Sequence, residues 1–194
     1  MKYQLPKNES TILPNLLGLT SAKDIALAEF EGFLKAEILL SENLSKRTKF
    51  SVSYIRKIHT LSLGHLYSFA GEFRNVNLSK GGFPFAAAKF LPETMKEFDK
   101  EILSTLPHSY KNKENLINDI AVVHAELLVI HPFREGNGRT ARVLANLMSR
   151  KQGYGYLRFE LLEKKFDTYV LAVQKSVGKD YTLMIELVES IFAK

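Results

Sequence analysis

The amino-acid sequence predicts an all-α domain of about seven or eight helices with one small β-hairpin. Apolar residues recur at three- and four-residue steps through most of the chain, and only one short segment alternates in the manner of a strand. Glycine and proline separate these segments, and no repeat or low-complexity tract is present. With 194 residues, of which 45% are apolar, we expect an irregular N-terminal arm over residues 1–22 and one domain over residues 23–194.

Two helices are predicted early in the chain, over residues 22–40 and 51–66. Ser21 or Asp24 is placed to cap the first, since short polar side chains accept hydrogen bonds from the free N–H groups at a helix start. Gly71 interrupts the pattern after the second helix. The predictions rest on the apolar positions Ile25, Phe30, Phe33, Leu34 and Ile38 in the first helix and, mostly facing inward, Ile55, Ile58, Leu61 and Leu63 in the second.

Residues 72–90 are the only β-like part of the sequence. Val76 and Leu78 precede the double glycine at positions 81 and 82, and Phe83 and Phe85 follow it in alternation, which predicts a short hairpin. The remaining predicted helices cover residues 92–103, 113–130, 139–152, 161–177 and 181–193, with a glycine turn at 153–155.

Composition excludes several classes of function. The chain has no cysteine, so it forms neither a disulfide nor a thiolate metal site. Its uncharged stretches are too short to span a bilayer and its N-terminus lacks an apolar signal core, so we expect a cytoplasmic protein with no membrane partner. The net charge of +6 is spread along the chain without a nucleic-acid-binding motif, so no nucleic-acid partner is expected, whereas an anionic ligand such as a nucleotide suits this charge.

The segment HPFREGNGRTAR, residues 131–142, concentrates charge and hydrogen-bonding groups between two predicted helices. Pro132 lacks an N–H and cannot continue a helix, so the preceding helix ends near His131. The segment then leads into the N-terminus of the next helix, where free N–H groups favour phosphate. Glycine lets the backbone approach a ligand closely, which predicts a phosphate cradle built from Gly136, Asn137 and Gly138.

The charged residues of this segment suit the same ligand. Arg139 and Arg142 share one face at a helix start, where they oppose the helix dipole, and this arrangement is explained by a bound polyanion. Glu135 offers the hard oxygen that Mg²⁺ prefers. His131 is a candidate base near neutral pH.

The segment resembles the Fic family signature, H-P-F-x-D/E-G-N-G-R-x-x-R, and matches all nine specified positions. Residues 70–74 and 79–85 resemble the lead-in and the flap hairpin of that family, and Ile58-His59 and Leu66-Tyr67 fall where its early helix lies. The resemblance extends over about residues 25–192 and implies transfer of AMP from ATP to a Ser, Thr or Tyr hydroxyl of a target protein.

The resemblance also implies a role for each motif residue. His131 would deprotonate the target hydroxyl, Phe133 would anchor the loop in the core, and Glu135 would bind Mg²⁺ between the α- and β-phosphates. The segment 136–138 would hold the phosphates, and Arg139 and Arg142 would neutralise the leaving pyrophosphate. Such a transfer requires positioning, charge neutralisation and one base.

Other aromatic and flap residues give further candidates. A target strand added to the edge of the hairpin would be held by main-chain hydrogen bonds, which makes Ser79, Lys80, Gly81, Gly82 and Phe83 candidate target-binding residues. Phe90 and Tyr169 are candidates to flank adenine. For His124, two turns before His131, we predict packing, whereas His59, His65 and His108 have no partner motif and are predicted to be structural or exposed.

The motif raises three alternative functions. The Doc-like phosphotransferases replace the second glycine and its surroundings with a lysine-bearing loop, so Gly138-Arg139 favours adenylyl transfer over that subgroup. A nucleotide-binding module without catalysis is disfavoured by the intact His131. A toxin held silent by a separate antitoxin is the other alternative.

Inhibition in this family commonly uses a helix with the pattern S/T-x-x-x-E-G/N. The pattern is incomplete here, because Glu72 and Glu186 lack the final Gly or Asn, and Glu31-Gly32 has Leu27 in place of Ser or Thr. We therefore expect a small antitoxin-like partner to supply the inhibitory glutamate, with Glu31 or Glu186 as the alternative within the chain.

Overall fold

The computed structural model describes residues 12–192 and confirms an all-α fold with one hairpin. Residues 12–21 contain no helix or strand, and residues 1–11 of the predicted arm lie outside the described part. No helix in residues 12–192 has the length and apolar character needed to cross a membrane. The seven α-helices are α1 Ala22–Glu42, α2 Val52–Leu63, α3 Leu91–Glu101, α4 Lys113–Ile130, α5 Asn137–Lys151, α6 Phe166–Ser176 and α7 Thr182–Ile191.

Helix α4 is the centre of the bundle. It contacts α3, α5, α6 and α7, so nearly its whole circumference is buried. Asn112 begins it by accepting a hydrogen bond from the N–H of Asn115 at 2.9 Å, and Pro132 prevents its continuation beyond Ile130. Both predicted ends of this helix are confirmed, because both are set by local chemistry.

Helix α1 buries only one of its two apolar faces. Ile25, Phe33 and Leu40 face the core, whereas Phe30, Leu34 and Ile38 are exposed. The buried face is the one with the smallest residue: a Cβ on Gly32 would lie 2.0 Å from the carbonyl oxygen of Ser62, so only glycine lets α1 approach α2 this closely. On α2 the inward prediction is wrong for Leu61, which is 37% exposed.

Several predicted helix limits differ from the structure, among them those of α2, α5 and α6. Helix α2 ends at Leu63, three residues early, and Gly64 follows it. The predicted helix 161–177 consists of a 3-10 helix, Phe159–Lys165, followed by α6. Helix α5 begins two residues early, at Asn137, because Gly136 adopts a φ of 78° at the cap and brings the next residue directly into the helix.

The predicted hairpin is confirmed, and it is short. Strand β1, Ser79–Lys80, pairs antiparallel with β2, Phe83–Pro84. Gly81 and Gly82 form the turn with φ values of 58° and 80°, the left-handed conformation that glycine adopts without strain. We call residues 79–85 the flap. Phe85 continues the pairing by donating its N–H to the carbonyl of Leu78 at 3.1 Å.

Candidate active site

The end of α4, the start of α5, the flap and α6 surround a cavity of about 470 Å³, which we call the motif cavity. Two predicted flap residues, Ser79 and Gly82, do not line the cavity. Phe90, predicted to flank adenine, does not line it either: its side chain is 57% exposed and lies beside Lys89. The predicted site residues that line it are Lys80, Gly81, Phe83, His131, Gly138, Arg142 and Tyr169.

His131 lies at the end of α4 as a neutral base. Its Nδ1 is 3.1 Å from the carbonyl oxygen of Leu128, and because a carbonyl only accepts, Nδ1 carries the proton and Nε2 the lone pair. Burial, together with the charges of Arg74 and Lys80, lowers its pKa to about 3. The Phe85 ring stacks on it at 3.8 Å, so the flap covers the base.

The backbone at His131 is held in an unusual conformation. Its φ of 55° is left-handed, which few residues other than glycine adopt. Arg74 stabilises this turn, since its Nε donates to the His131 carbonyl at 2.8 Å and its main-chain N–H donates to the Pro132 carbonyl at 2.9 Å. Further N–H groups of the same guanidinium donate to the carbonyls of Val76 and Ala86, at the base of the flap. Burial lowers the pKa of Arg74.

The motif loop, residues 131–138, is closed by Asn137. Its amide accepts the Phe133 N–H at 2.8 Å and donates to the Phe133 carbonyl at 2.7 Å. Asn137 was predicted as part of the phosphate cradle of the backbone; its side chain is directed into the loop itself and is 1% exposed. Phe133 is fully buried, as the family resemblance implied.

His59, predicted to be structural or exposed, is buried and supports the loop from α2. Its ring stacks on Phe133 at a centroid distance of 3.9 Å. The Gly71 N–H donates to its Nδ1 at 2.8 Å, so the proton is on Nε2, which donates to the Glu135 carbonyl at 2.9 Å. Burial lowers the His59 pKa to about 4. Its partners are backbone atoms, which no side-chain motif reveals.

The two motif glycines have different roles. A Cβ on Gly136 would lie 2.8 Å from Leu63 Cδ1 and 3.2 Å from Phe33 Cζ, inside the core. A Cβ on Gly138 would meet no atom within 4 Å, and Gly138 lies in the wall of the motif cavity. Gly136 is therefore required by the fold, and Gly138 leaves room for a ligand.

Arg139 and Glu135 lie on the α1 side of the loop, next to a second acid. Arg139 Nη2 is 2.8 Å from Glu29 Oε2 and 3.5 Å from Glu135 Oε1, and the Tyr67 hydroxyl donates to Glu29 Oε1 at 2.6 Å. Sequence reasoning missed Glu29, although it lies one turn from both Ile25 and Phe33 on the buried face of α1, where an acid needs a partner.

Arg142 is at the other end of the motif. Its side chain lines the motif cavity together with Tyr169 of α6, and its Cζ is 5.8 Å from the centre of the Phe159 ring. The Tyr169 hydroxyl is in turn 2.6 Å from Nε2 of His124, which is buried, as predicted. The site thus unites His131, Gly138 and Arg142 around one cavity, with Glu135 and Arg139 beside it.

Comparison with known proteins identifies the family. The model of the Fic/DOC family matches residues 49–149, slightly more than half of the sequence. The chain belongs to the Fic/DOC family. Two Fic relatives are a protein adenylyltransferase Fic of Drosophila willistoni, 30% identical over 116 residues, and the protein adenylyltransferase VbhT of Bartonella schoenbuchensis, 28% identical over 151 residues. These alignments cover 59% and 75% of this chain but only 22% and 30% of those proteins.

Solved Fic domains share the fold over almost the entire chain. The N-terminal Fic domain of Bep8 from Bartonella sp. 1-1C superposes with a TM-score of 0.81 at 23% identity, covering 96% of this chain and 93% of that one. BepC from Bartonella tribocorum, with bound AMPPNP, superposes with a TM-score of 0.79 at 20% identity, covering 97% and 95%.

Exchange of each motif glycine should separate folding from ligand binding. Gly136→Ala should lower the free energy of unfolding by about 1–3 kcal/mol, because alanine is strained at positive φ and its methyl meets Leu63. Gly138→Val should unfold like the parent in urea but bind ATP at least about tenfold more weakly, because its side chain fills the cavity. Parent-like ATP affinity in Gly138→Val would place the nucleotide elsewhere.

The buried histidines should make the fold sensitive to acid. Burial lowers the pKa of His59 and His124 to about 4 and that of His131 to about 3, so each is neutral in the folded state at pH 5 but protonated in the unfolded chain below about pH 6.5. Unfolding therefore takes up protons, and stability falls as pH decreases from about 6.5 toward 4.

The slope of stability against pH measures this effect. The free energy of unfolding should be measured by urea unfolding at several pH values between 6.5 and 5. For His59→Gln, its slope against pH should be about one third smaller than for the parent, since one of three linked protons is removed. Equal slopes for the two proteins would show that His59 takes no part in the linkage.

Proposed function

We propose that this Fic protein is a protein adenylyltransferase that transfers AMP from ATP to a hydroxyl side chain of a target protein. The observation that carries this proposal is a neutral histidine, with its lone pair on Nε2, in the wall of a cavity that also contains Gly138, Lys80 and Arg142. An open glycine at a helix start and two cations suit phosphate groups. The relatives named above are protein adenylyltransferases, which supports the same reaction.

The chemistry assigns a single proton transfer to the protein. Nε2 of His131 takes the proton of the target hydroxyl as the hydroxyl oxygen bonds to the α-phosphorus. The bond from that phosphorus to the bridging oxygen of the β-phosphate breaks, and pyrophosphate leaves with the electron pair. Arg142 and Lys80 stabilise the charge that develops on the leaving group.

The residues present fit Mg²⁺ carried by the nucleotide. Among residues 12–192 no group of three or more acids and histidines could hold a metal alone, and Mg²⁺ at phosphates commonly uses only one or two protein carboxylates. Glu135 is the residue we assign, and burial raises its pKa. A bound Mg²⁺ would supply charge neutralisation at the phosphates. Glu135 Oε1 is meanwhile fixed by the Gly136 N–H at 2.7 Å, which orients the carboxylate.

The flap is the surface we assign to the target. A target strand can pair with an edge of the hairpin, and main-chain bonds hold it without requiring a fixed target sequence. A second cavity of about 440 Å³ lies on the other side of the flap, and Phe83 and Phe85 line both cavities. Because Phe85 also stacks on His131, a segment bound there lies next to the base.

Restraint of the activity is assigned to a separate partner. Glu31 is exposed and pairs with Lys35 at 3.5 Å, and Glu186 is exposed on α7, so neither incomplete inhibitory motif is directed at Arg142. In residues 12–192 no carboxylate forms an ion pair with Arg142. A small antitoxin-like protein that presents a glutamate to Arg142 fits this arrangement.

Labelled ATP tests the proposed reaction directly. The purified protein with Mg²⁺ and a cell lysate should label protein from α-labelled ATP but not from γ-labelled ATP, because AMP rather than the terminal phosphate is transferred. His131→Ala should abolish labelling, by at least about a hundredfold, while ATP affinity stays close to that of the parent. Label from γ-labelled ATP alone would make the protein a Doc-like phosphotransferase.

The partner hypothesis predicts how the isolated chain behaves. Auto-transfer by the purified parent should be measurable, and Glu31→Gly and Glu186→Gly should each leave its rate within about twofold, because neither side chain contacts the site. A large gain in rate from one of these substitutions would identify an inhibitory glutamate within the chain and remove the need for a partner.

A further inference from the structure

Two carboxylates, those of Glu29 and Glu135, lie near the same nitrogen of Arg139. Arg139 Nη2 is 2.8 Å from Glu29 Oε2 and 3.5 Å from Glu135 Oε1. Hydrogen bonds from nitrogen to oxygen are usually shorter than about 3.2 Å, so the strong bond of this nitrogen goes to Glu29. Glu29 is outside the motif, yet it determines where the first motif arginine lies.

The carboxylate of Glu29 is itself fixed by Tyr67. The Tyr67 hydroxyl donates to Glu29 Oε1 at 2.6 Å, and burial raises the pKa of Tyr67, so the hydroxyl keeps the proton that it donates. Tyr67 is 2% exposed, and its ring stacks on Phe69 at a centroid distance of 4.8 Å. Both oxygens of Glu29 therefore have a partner, the hydroxyl on Oε1 and the guanidinium on Oε2.

A second contact from α1 holds the same guanidinium. Arg139 Cζ lies 4.8 Å from the centre of the Phe33 ring, within the range of a cation–π contact. Phe33 is buried, and it is one helical turn from Glu29 on the buried face of α1. One helix therefore supplies both an ion pair and an aromatic face to Arg139.

Glu135 keeps one carboxylate oxygen without a protein partner as a result. Its Oε1 accepts the Gly136 N–H at 2.7 Å and is the oxygen that Arg139 approaches at 3.5 Å. Within residues 12–192, no hydrogen bond or ion pair involves Glu135 Oε2. Mg²⁺ at a nucleotide commonly takes one carboxylate oxygen and fills its other positions with phosphate oxygens and water.

We propose that Glu29 is a positioning residue that keeps Arg139 from forming a close ion pair with Glu135, so that Glu135 stays available to Mg²⁺. Tyr67 supports this role by fixing Glu29. The inference rests on the proposed function, which assigns Glu135 to Mg²⁺ carried by the nucleotide. Without the charge of Glu29, Arg139 should pair with Glu135 through two parallel bonds, the geometry that a guanidinium and a carboxylate prefer.

The Mg²⁺ dependence of nucleotide affinity tests this role without measuring activity. Calorimetry would give the affinity for AMPPNP with Mg²⁺ and again with EDTA, and the ratio of the two is the gain that Mg²⁺ supplies. Glu29→Gln should reduce this gain by about tenfold, the order expected for one hydrogen bond to a charged group. The affinity in EDTA should change by less than about twofold, because Arg139 is paired with one carboxylate in both proteins.

Two results of this measurement would overturn the proposal. An unchanged gain in Glu29→Gln would show that Glu135 binds Mg²⁺ equally well without Glu29. Equal losses of affinity with Mg²⁺ and with EDTA would indicate that Glu29 maintains the fold around the site and has no specific effect on the metal.

Two further variants of single side chains complete the comparison. Glu31→Gln is the matched control, since Glu31 is on the exposed face of α1 and pairs with Lys35 at 3.5 Å, and it should keep the gain of the parent. Tyr67→Phe removes only the bond that fixes Glu29, so it should reduce the gain less than Glu29→Gln does. Melting temperatures show whether each variant folds. If Glu29→Gln does not fold, a parent-like gain in Tyr67→Phe contradicts the proposal.

A double-mutant cycle tests whether the effect passes through the arginine. In an Arg139→Ala background, Glu29→Gln should cause no further reduction of the gain from Mg²⁺, because no guanidinium remains to pair with Glu135. An additive reduction would show that Glu29 acts on the metal by another route and would contradict the positioning role.

Failure of the proposed function gives a different result. Label transfer from γ-labelled ATP by a parent whose AMPPNP affinity rises with Mg²⁺ would reject adenylyl transfer and leave the positioning result intact. A parent whose affinity does not respond to Mg²⁺ would overturn the inference about Glu29, and label transfer from α-labelled ATP by the same preparation would still support adenylyl transfer.

Discussion

The buried guanidinium of Arg74 is the interaction on which the site depends most. It donates to the carbonyl of His131 at the end of α4 and to the carbonyls of Val76 and Ala86 at the base of the flap. A buried polar group requires partners, and here the partners are carbonyls of two separate elements, so satisfying the arginine fixes one element against the other. The left-handed turn at His131 and the stacking of Phe85 on its ring both follow from that attachment.

The site is organised before any ligand is present. Backbone atoms determine which nitrogen carries the proton in His59 and His131, and burial keeps both rings neutral at physiological pH. Asn137 closes the motif loop by bonding both backbone groups of Phe133. Few side chains have to move when a nucleotide binds. This reduces the entropy lost on binding and leaves the reacting groups already oriented.

Local chemistry made part of this structure predictable. Pro132 ends α4, the glycine pair at 81 and 82 forms the flap turn, and the motif places His131 beside a helix start. Each of these features is determined by residues that are close together in the sequence. The contacts that were missed join distant positions: Glu29 and Arg139 are 110 residues apart, and His124 and Tyr169 are 45 apart. Periodicity also could not decide between the two apolar faces of α1, since that choice depended on how closely α2 approaches Gly32.

Both motif arginines have partners outside the segment that defines the family. Glu29 on α1 and Phe159 in the 3-10 helix before α6 lie beyond residues 49–149, yet they contact Arg139 and Arg142. Substitutions at these two positions can therefore change the affinity for a nucleotide while the motif sequence stays identical. Two Fic proteins with the same signature can differ in how firmly each arginine is held, and that difference lies in the sequences of the flanking helices.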